Sequence, residues 1–357
     1  MTNVSTNLNN KGIGSFFAFV ENHDKNLTKH KTVFSPENKM LFYTGRQAIK
    51  YLIELIRTEQ NAFTIWLPEY YCMHVTEWLK SNYSNIETYK TNPSNPKHII
   101  NAFEFASKKD VIIINNFWGV SECLIDTGGI DVITIEDHSH GWLSNSCINS
   151  KADFCMTSLR KSLPIPLGGM AWSPKNHELN KSIKLMTSES YEPIWDKTLT
   201  AMVYKNEYEK TGNLSLKKES LLLIKDAELN LHKNYNLTSI QSKHEEIINK
   251  FLPINYLEFK SENIKELHKS LQTNQEFEII DTNTSTTFGL ILHFKESTNL
   301  DKIRTYLIDN NIYPSLLWPG NINTYGYYLN IHLDYRYTKK DMLYIANVLN
   351  KTDDTLK

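Results

Sequence analysis

Between Ile135 and Trp142 the chain reads Ile-Glu-Asp-His-Ser-His-Gly-Trp, with two carboxylates and two imidazoles inside five positions. Such a density of donors first suggests a metal centre. A centre needs three or four converging ligands, however, and His138 and His140 would share a side only if a strand ran through both. Gly141 argues that the strand has ended, and no HExxH or CxxC pattern supplies further ligands. No metal is therefore expected. The segment reads as a strand-end loop that presents Asp137, with Glu136 and His138 supporting it or facing solvent.

Two more clusters carry chemistry. Residues 152–169 run Ala-Asp-Phe-Cys-Met-Thr-Ser-Leu-Arg-Lys, then Ser-Leu-Pro-Ile-Pro-Leu, then Gly168-Gly169. This is a short apolar strand closed by the hydroxyls of Thr157 and Ser158, with Lys161 just beyond it. A lysine held in a pocket beside a cation such as Arg160 gives up its proton more readily and can serve as nucleophile or base. Upstream, Phe42-Tyr-Thr-Gly-Arg-Gln-Ala-Ile49 opens a helix. Thr44 is its natural N-cap, Gln47 completes a capping box, and Gly45 permits close approach to backbone N–H groups. Such a helix start suits a phosphate. Lys161 for a Schiff base, Asp137 for a ring nitrogen, these anion donors and an aromatic for a ring face are the parts that hold pyridoxal phosphate.

Those residues need a scaffold, and the apolar pattern supplies one. Thr64–Leu67, Val111–Ile114, Val132–Ile135, Phe154–Thr157 and Met170–Trp172 are short, largely β-branched or aromatic runs expected to be buried strands. Ile49, Leu52, Ile53 and Ile56 fall on one helical face over Gln47–Arg57. The alternation predicts a mostly parallel sheet between helices, with ligands beyond the strands' carboxyl ends, where Asp137 lies. After about residue 175 the chain becomes helical and charged, as in Leu214–Lys233. A second α+β pattern then places strands over Phe288–Phe294 and Leu329–Leu333 and a helix over Asp301–Asn310. A connection over Pro314–Gly320 and a last helix opened by Thr338 and Asp341 complete it. Two domains are expected, an N-terminal segment with a large cofactor-binding domain over 1–245 and a smaller C-terminal domain over 246–357.

The order of these motifs resembles the fold-type I pyridoxal-phosphate enzymes, and within them the DegT/DnrJ/EryC1 aminotransferases. The matching segments are Tyr-Thr-Gly-Arg-Gln-Ala-Ile, Trp-Leu-Pro-Glu-Tyr-Tyr-Cys, Ile-Asn-Asn-Phe-Trp-Gly-Val, Ile-Glu-Asp-His-Ser-His-Gly and Thr-Ser-Leu-Arg-Lys-Ser-Leu-Pro-Ile-Pro-Leu-Gly-Gly. They span about residues 40–175, and the last thirty residues also match some members. The resemblance implies an aspartate-aminotransferase-like α/β fold with a seven-stranded sheet, and a homodimeric aminotransferase that moves an amino group from an amino acid to a carbonyl acceptor, possibly a keto-sugar. It further implies that Lys161 carries the cofactor and shuttles protons, that Asp137 pairs with the pyridine nitrogen and that His140 meets the phenolic oxygen. Thr44, Gly45 and Arg46 would hold phosphate from one side and Thr157 or Ser158 from the other, because the usual hydroxyl position is Met156 here. The usual ring-stacking position is Cys72, which leaves Tyr70, Tyr71 and Trp118 as candidates. Asn234 would reach the neighbouring subunit's phosphate. Arg336 would bind a substrate carboxylate through two hydrogen bonds, against the alternative of an exposed strand-end arginine.

Composition narrows the field without choosing within it. The 39 basic and 40 acidic side chains leave a net charge of -1, so no field points to nucleic acid or an anionic membrane. Four cysteines without a CxxC pair fit a reducing, cytoplasmic setting, and no run approaches a membrane span. Decarboxylase, lyase or condensing chemistry would use the same lysine and aspartate. A non-catalytic binding protein would have been free to lose either.

Overall fold

A computed structural model describes residues 12–21, 24–28, 30–31, 34–60, 63–179, 183–280, 288–318 and 323–352. Its larger sheet has seven strands: β1 (Lys39–Phe42), β2 (Ile65–Pro68), β3 (Ile86–Tyr89), β4 (Val111–Asn115), β5 (Ile133–Asp137), β6 (Phe154–Thr157) and β7 (Gly169–Trp172). They lie in the order β1-β7-β6-β5-β4-β2-β3. All neighbours run parallel except β7, which is antiparallel to both β1 and β6. This is the α/β architecture expected from the sequence.

Helix α1 (Gly45–Arg57) explains why the middle strands are apolar throughout. Its Ile49, Leu52, Ile53 and Ile56 pack on Val111, Ile113 and Ile135, while the alternate residues Ile112 and Ile114 meet Tyr89 and Ala102 on the other face. Strands covered on both faces have no polar side to show. Strands β1 and β3 escaped the sequence reading for the converse reason. They are the two edges of the sheet, and each keeps half-buried or exposed positions that break the apolar run.

Beyond the sheet come α2 (Met73–Asn82) and two 20-residue helices, α3 (Glu192–Thr211) and α4 (Leu214–Lys233), then α5 (Ser242–Phe251) and α6 (Tyr256–His268). The turn between α3 and α4 is made by Gly212 at φ 73°, a left-handed conformation that suits glycine. A second, antiparallel sheet is formed by β8 (Glu278–Ile279), β9 (Leu290–Phe294), β10 (Ser315–Leu317) and β11 (Tyr327–Ile331), in the order β8-β9-β11-β10. Helices α7 (Ser297–Asp309) and α8 (Lys339–Leu349) complete this part, and α8 begins with the full Thr338/Asp341 capping box. Part of the expected Pro314–Gly320 connection is thus strand β10, again at a sheet edge. Ile13–Gly14, expected to travel with the large sheet, instead pair in parallel with Ile312–Tyr313.

An aromatic and aliphatic layer joins the two sheets. Tyr70, Phe117 and Trp118 from the large sheet's loops pack with Phe288, Ile291, Leu317 and Tyr328 from the small one. The loops at the carboxyl ends of β2, β4 and β5 are thereby clamped from outside.

Candidate active site

A cavity of about 320 Å³ opens beyond the carboxyl ends of β5 and β6. Thr44, Gly45, Arg46, Tyr71, Asp137, His140, Ser158 and Lys161 all line it. The three sequence clusters therefore meet in space.

Asp137 ends β5 and is buried. Its Oδ1 accepts the Ser139 backbone N–H at 2.8 Å and its Oδ2 accepts the Tyr71 hydroxyl at 2.6 Å. These donors fix the carboxylate's orientation while it still borders the cavity. Burial, followed by the charge and hydrogen bond of Asp137, pushes the Tyr71 phenol well above its ordinary range, so Tyr71 stays a donor.

Lys161 closes a short turn after β6, and its Nζ lies 3.1 Å from His140 Nε2. Burial, reinforced by the positive charges of Lys161 and Lys260, holds the His140 imidazole well below its usual range. A neutral imidazole whose Nε2 accepts from the ammonium is the consistent reading, which leaves the proton on Nδ1. That Nδ1 is buried without a hydrogen-bond partner. The ring is held by stacking on Trp118 and Trp318, with centroids 5.6 and 5.4 Å away, and by Phe288 at 4.2 Å. Both tryptophans have positive φ, 58° and 48°, a conformation that costs bulky residues about 1–2 kcal/mol and is sustained here by the packed layer.

The helix start is built as expected with one change. Thr44 Oγ1 accepts the Gln47 N–H at 3.1 Å, but Gln47 Oε1 turns back to the Tyr43 N–H rather than to that of Thr44. Its amide nitrogen spans to Asn236 O and Thr238 Oγ1. Gly45 lies against Ser158, where a Cβ would come within 3.1 Å of the serine Cβ. The two open choices left by the sequence narrow on geometry. Thr157 Oγ1 donates to His138 O, 3.2 Å away, and is fully buried, whereas Ser158 borders the cavity. Among the aromatics, Tyr70 and Trp118 belong to the packed layer and Tyr71 borders the cavity.

Two expected residues stand elsewhere. Arg336 donates to both oxygens of Asp334, at 2.7 and 2.8 Å, and to the carbonyls of Gly14, Ser15 and Phe16. With its guanidinium committed, it ties the N-terminal segment to the small sheet rather than meeting a substrate. Asn234 caps α4, donates to Ser190 O at 3.2 Å and borders a separate surface hollow. Within its own chain it lies outside the cavity.

The cavity also contains Glu228, His74, His232 and Trp318, which the sequence did not flag. Arg160 forms a two-pronged pair with Glu228 at 2.5 and 3.1 Å, and Arg46 donates to Leu231 O at 2.9 Å with its other nitrogen 3.4 Å from His232. Burial would raise the Glu228 carboxyl, but Arg160 outweighs it and holds the group below its ordinary value. His74, His232 and Trp318 complete the rim. Glu228 and His232 sit four apart on one face of α4, a spacing visible in sequence but uninformative until the helix is docked.

No protein-family model matches the chain, and no curated protein matches its sequence. Solved structures do match. A Streptococcus pneumoniae protein described as a sugar aminotransferase, in its pyridoxal-phosphate form, superposes with a TM-score of 0.56 at 9% identity, over 96% of this chain and 94% of the other. Its pyridoxamine-phosphate form gives 0.54 at 8% identity, over 96% and 94%. The aminotransferase TlmJ from Streptoalloteichus hindustanus gives 0.51 at 10% identity, over 97% and 100%. The chain shares the fold of these solved structures.

Proposed function

We propose that this protein is a pyridoxal-phosphate-dependent aminotransferase, transferring an amino group from an amino acid to a carbonyl acceptor. The observation that carries the reading is that Lys161 and Asp137, from adjacent parallel strands, border one cavity without pairing to each other. A helix N-terminus and the Ser158 hydroxyl lie on the same cavity. This donor set fits the cofactor, which when bound supplies the electron sink for chemistry at a substrate α-carbon.

The chain's own residues have separable tasks. Asp137, oriented by Tyr71 and Ser139, would hold the proton on the ring nitrogen. Lys161 would attach the cofactor and, once released by the substrate amine, carry a proton to and from the reacting carbon. His140, neutral and stacked, can accept from Lys161 through Nε2 and donate through Nδ1 to an oxygen on the cofactor. Ser158 and the N–H groups at Gly45 and Arg46 would bind the phosphate. Tyr71 or Trp318, both at the cavity, would cover the ring. Arg46 at the rim, which meets the Leu231 carbonyl and His232 rather than a carboxylate, suits an anionic substrate portion, in keeping with a nucleotide-linked keto-sugar as acceptor. We further propose a homodimer in which Asn234 serves the partner's cavity, since it has no place in its own.

The test is direct. Purified protein supplied with pyridoxal phosphate should turn yellow, lose that colour on borohydride treatment and carry the reduced cofactor's mass on Lys161. A protein that stays colourless with added cofactor would overturn the reading. Adding glutamate should convert the cofactor to its amine form, whereas release of carbon dioxide without conversion would redirect the proposal to decarboxylation.

A further inference from the structure

Strand alternation separates the Ile135–Trp142 segment into two faces. Asp137 points to the cofactor cavity, so its neighbours Glu136 and His138 point the other way. In the parallel register of β5 and β6, Glu136 lies beside Cys155, which therefore shares that opposite face. The sequence reading left Glu136 and His138 supporting or solvent-facing. Both are buried, at 5% and 0% exposure, and Cys155 is at 0%.

One carboxylate oxygen, one imidazole nitrogen and one sulfur from these residues lie within 4.8 Å of one another. His138 Nε2 and Glu136 Oε2 are 2.9 Å apart, yet they are not aligned as a hydrogen bond, and neither atom has another partner or meets solvent. Two buried polar atoms without a hydrogen bond are costly unless a third group, such as a cation bound by both from one side, satisfies them. We propose that Glu136, His138 and Cys155 form a site for a divalent cation of the zinc class.

The surroundings suit that assignment. Carboxylate, thiolate and neutral imidazole around a divalent ion sum to zero charge, which a buried site favours, and the sulfur–nitrogen–oxygen mixture selects zinc over calcium or magnesium. The Asn116 side-chain amide lies 2.9 Å from His138 Nδ1 and 3.0 Å from Ser144 Oγ. Its other end is unpaired, so a half-turn of the amide costs no hydrogen bond. Turned so, Asn116 accepts from Nδ1–H and frees the Nε2 lone pair for the ion. Cys155 Sγ lies 3.1 Å from Ser150 Oγ, and that hydroxyl can donate to a thiolate as readily as it now accepts from the thiol. An adjoining hollow of about 470 Å³ reaches Glu136 past Ser146, Ser150 and Thr134, giving an entry path and room for a water ligand. The ion would brace the strand end that aims Asp137 without touching the cofactor.

Cobalt(II) tests the site independently of the cofactor reading. The full-length protein, stripped with chelator and checked for folding by circular dichroism, should take up one equivalent of Co²⁺. A near-ultraviolet thiolate-to-metal band and visible bands of a low-coordinate ion should appear, and stoichiometric Zn²⁺ should remove both. Cys155→Ser should abolish the thiolate band, and Glu136→Gln should weaken uptake at least about tenfold. A folded wild-type protein that binds no Co²⁺, or binds it without a thiolate band, overturns the proposal. So does a band that survives Cys155→Ser and disappears in Cys72→Ala.

Discussion

Two clusters of charge, one around Asp334 and one around Lys161 and Asp137, are treated in opposite ways. Around Asp334 the charges close on one another. Arg336 covers both carboxylate oxygens, and His332 binds Ser315 Oγ at 2.8 Å. Around Lys161 they stay open: its Nζ meets a neutral imidazole, and Asp137 accepts only from neutral donors. Among the described residues no carboxylate pairs with Lys161. Both clusters sit at strand ends, so location alone does not distinguish a site from a strut. What distinguishes them is whether the groups satisfy each other or leave capacity facing a cavity.

The sharpest way to break this comparison is at the two hubs. Lys161→Ala should eliminate the borohydride-stable adduct and lower turnover by roughly a thousandfold, in the range lost with a general acid–base group, while leaving the melting temperature nearly unchanged. A large fall in stability instead would make Lys161 a strut. Arg336→Met should do the reverse. It strands Asp334 in a buried position and should cost about 3–5 kcal/mol in denaturant unfolding, with Asp334→Asn in the same chain recovering part of it. A stable Arg336→Met protein with a raised KM for the amino donor would return Arg336 to the carboxylate-binding role considered for it in the sequence.

That reversal also shows what the sequence could and could not convey. The interior strands β4, β5 and β6 were legible because burial on both faces leaves an apolar run, and Asp137 and Lys161 drew attention because they close or follow those runs, whereas His140 entered only through the resemblance. The edge strands β1, β3 and β10 were not, since one flank meets solvent and the pattern dissolves. Arg336 was a plausible anion binder until the fold placed Asp334 two residues away on the same side and brought the carbonyls of 14–16 from the far end of the chain. Similarly, Glu136 and His138 looked peripheral because sequence shows that residues alternate but not which face is covered. Trp318 joined the site only through the docking of the second sheet.

A gentler perturbation sharpens the open side. Asp137→Asn keeps the shape and the Ser139 contact but removes the charge. The lysine adduct should still form, while turnover should fall by roughly ten- to a hundredfold, the worth of a charge-assisted hydrogen bond. Unchanged turnover would remove Asp137 from its assigned role.

A last perturbation concerns Lys260, which lies between the two clusters and belongs to neither. It is buried on α6, and its Nζ stands 5.8 Å from the Phe288 ring that packs on His140. Burial lowers its ammonium to about 8, against a partial pull upward from Asp334. In an unfolded chain the same group titrates at about 10.4, so between these values the unfolded state binds more protons and stability rises with pH. Below pH 8 the fold carries the full cost of a buried charge. Lys260→Met should therefore stabilise the protein at pH 7 by up to about 3 kcal/mol, and the gain should shrink above pH 8 and vanish near pH 10.5. Paired denaturant curves at pH 7, 9 and 10.5 would check it. A loss of stability at pH 7 instead would mean that Lys260 is held by Asp334 as a third member of the closed cluster, and the boundary between strut and site would move toward His140.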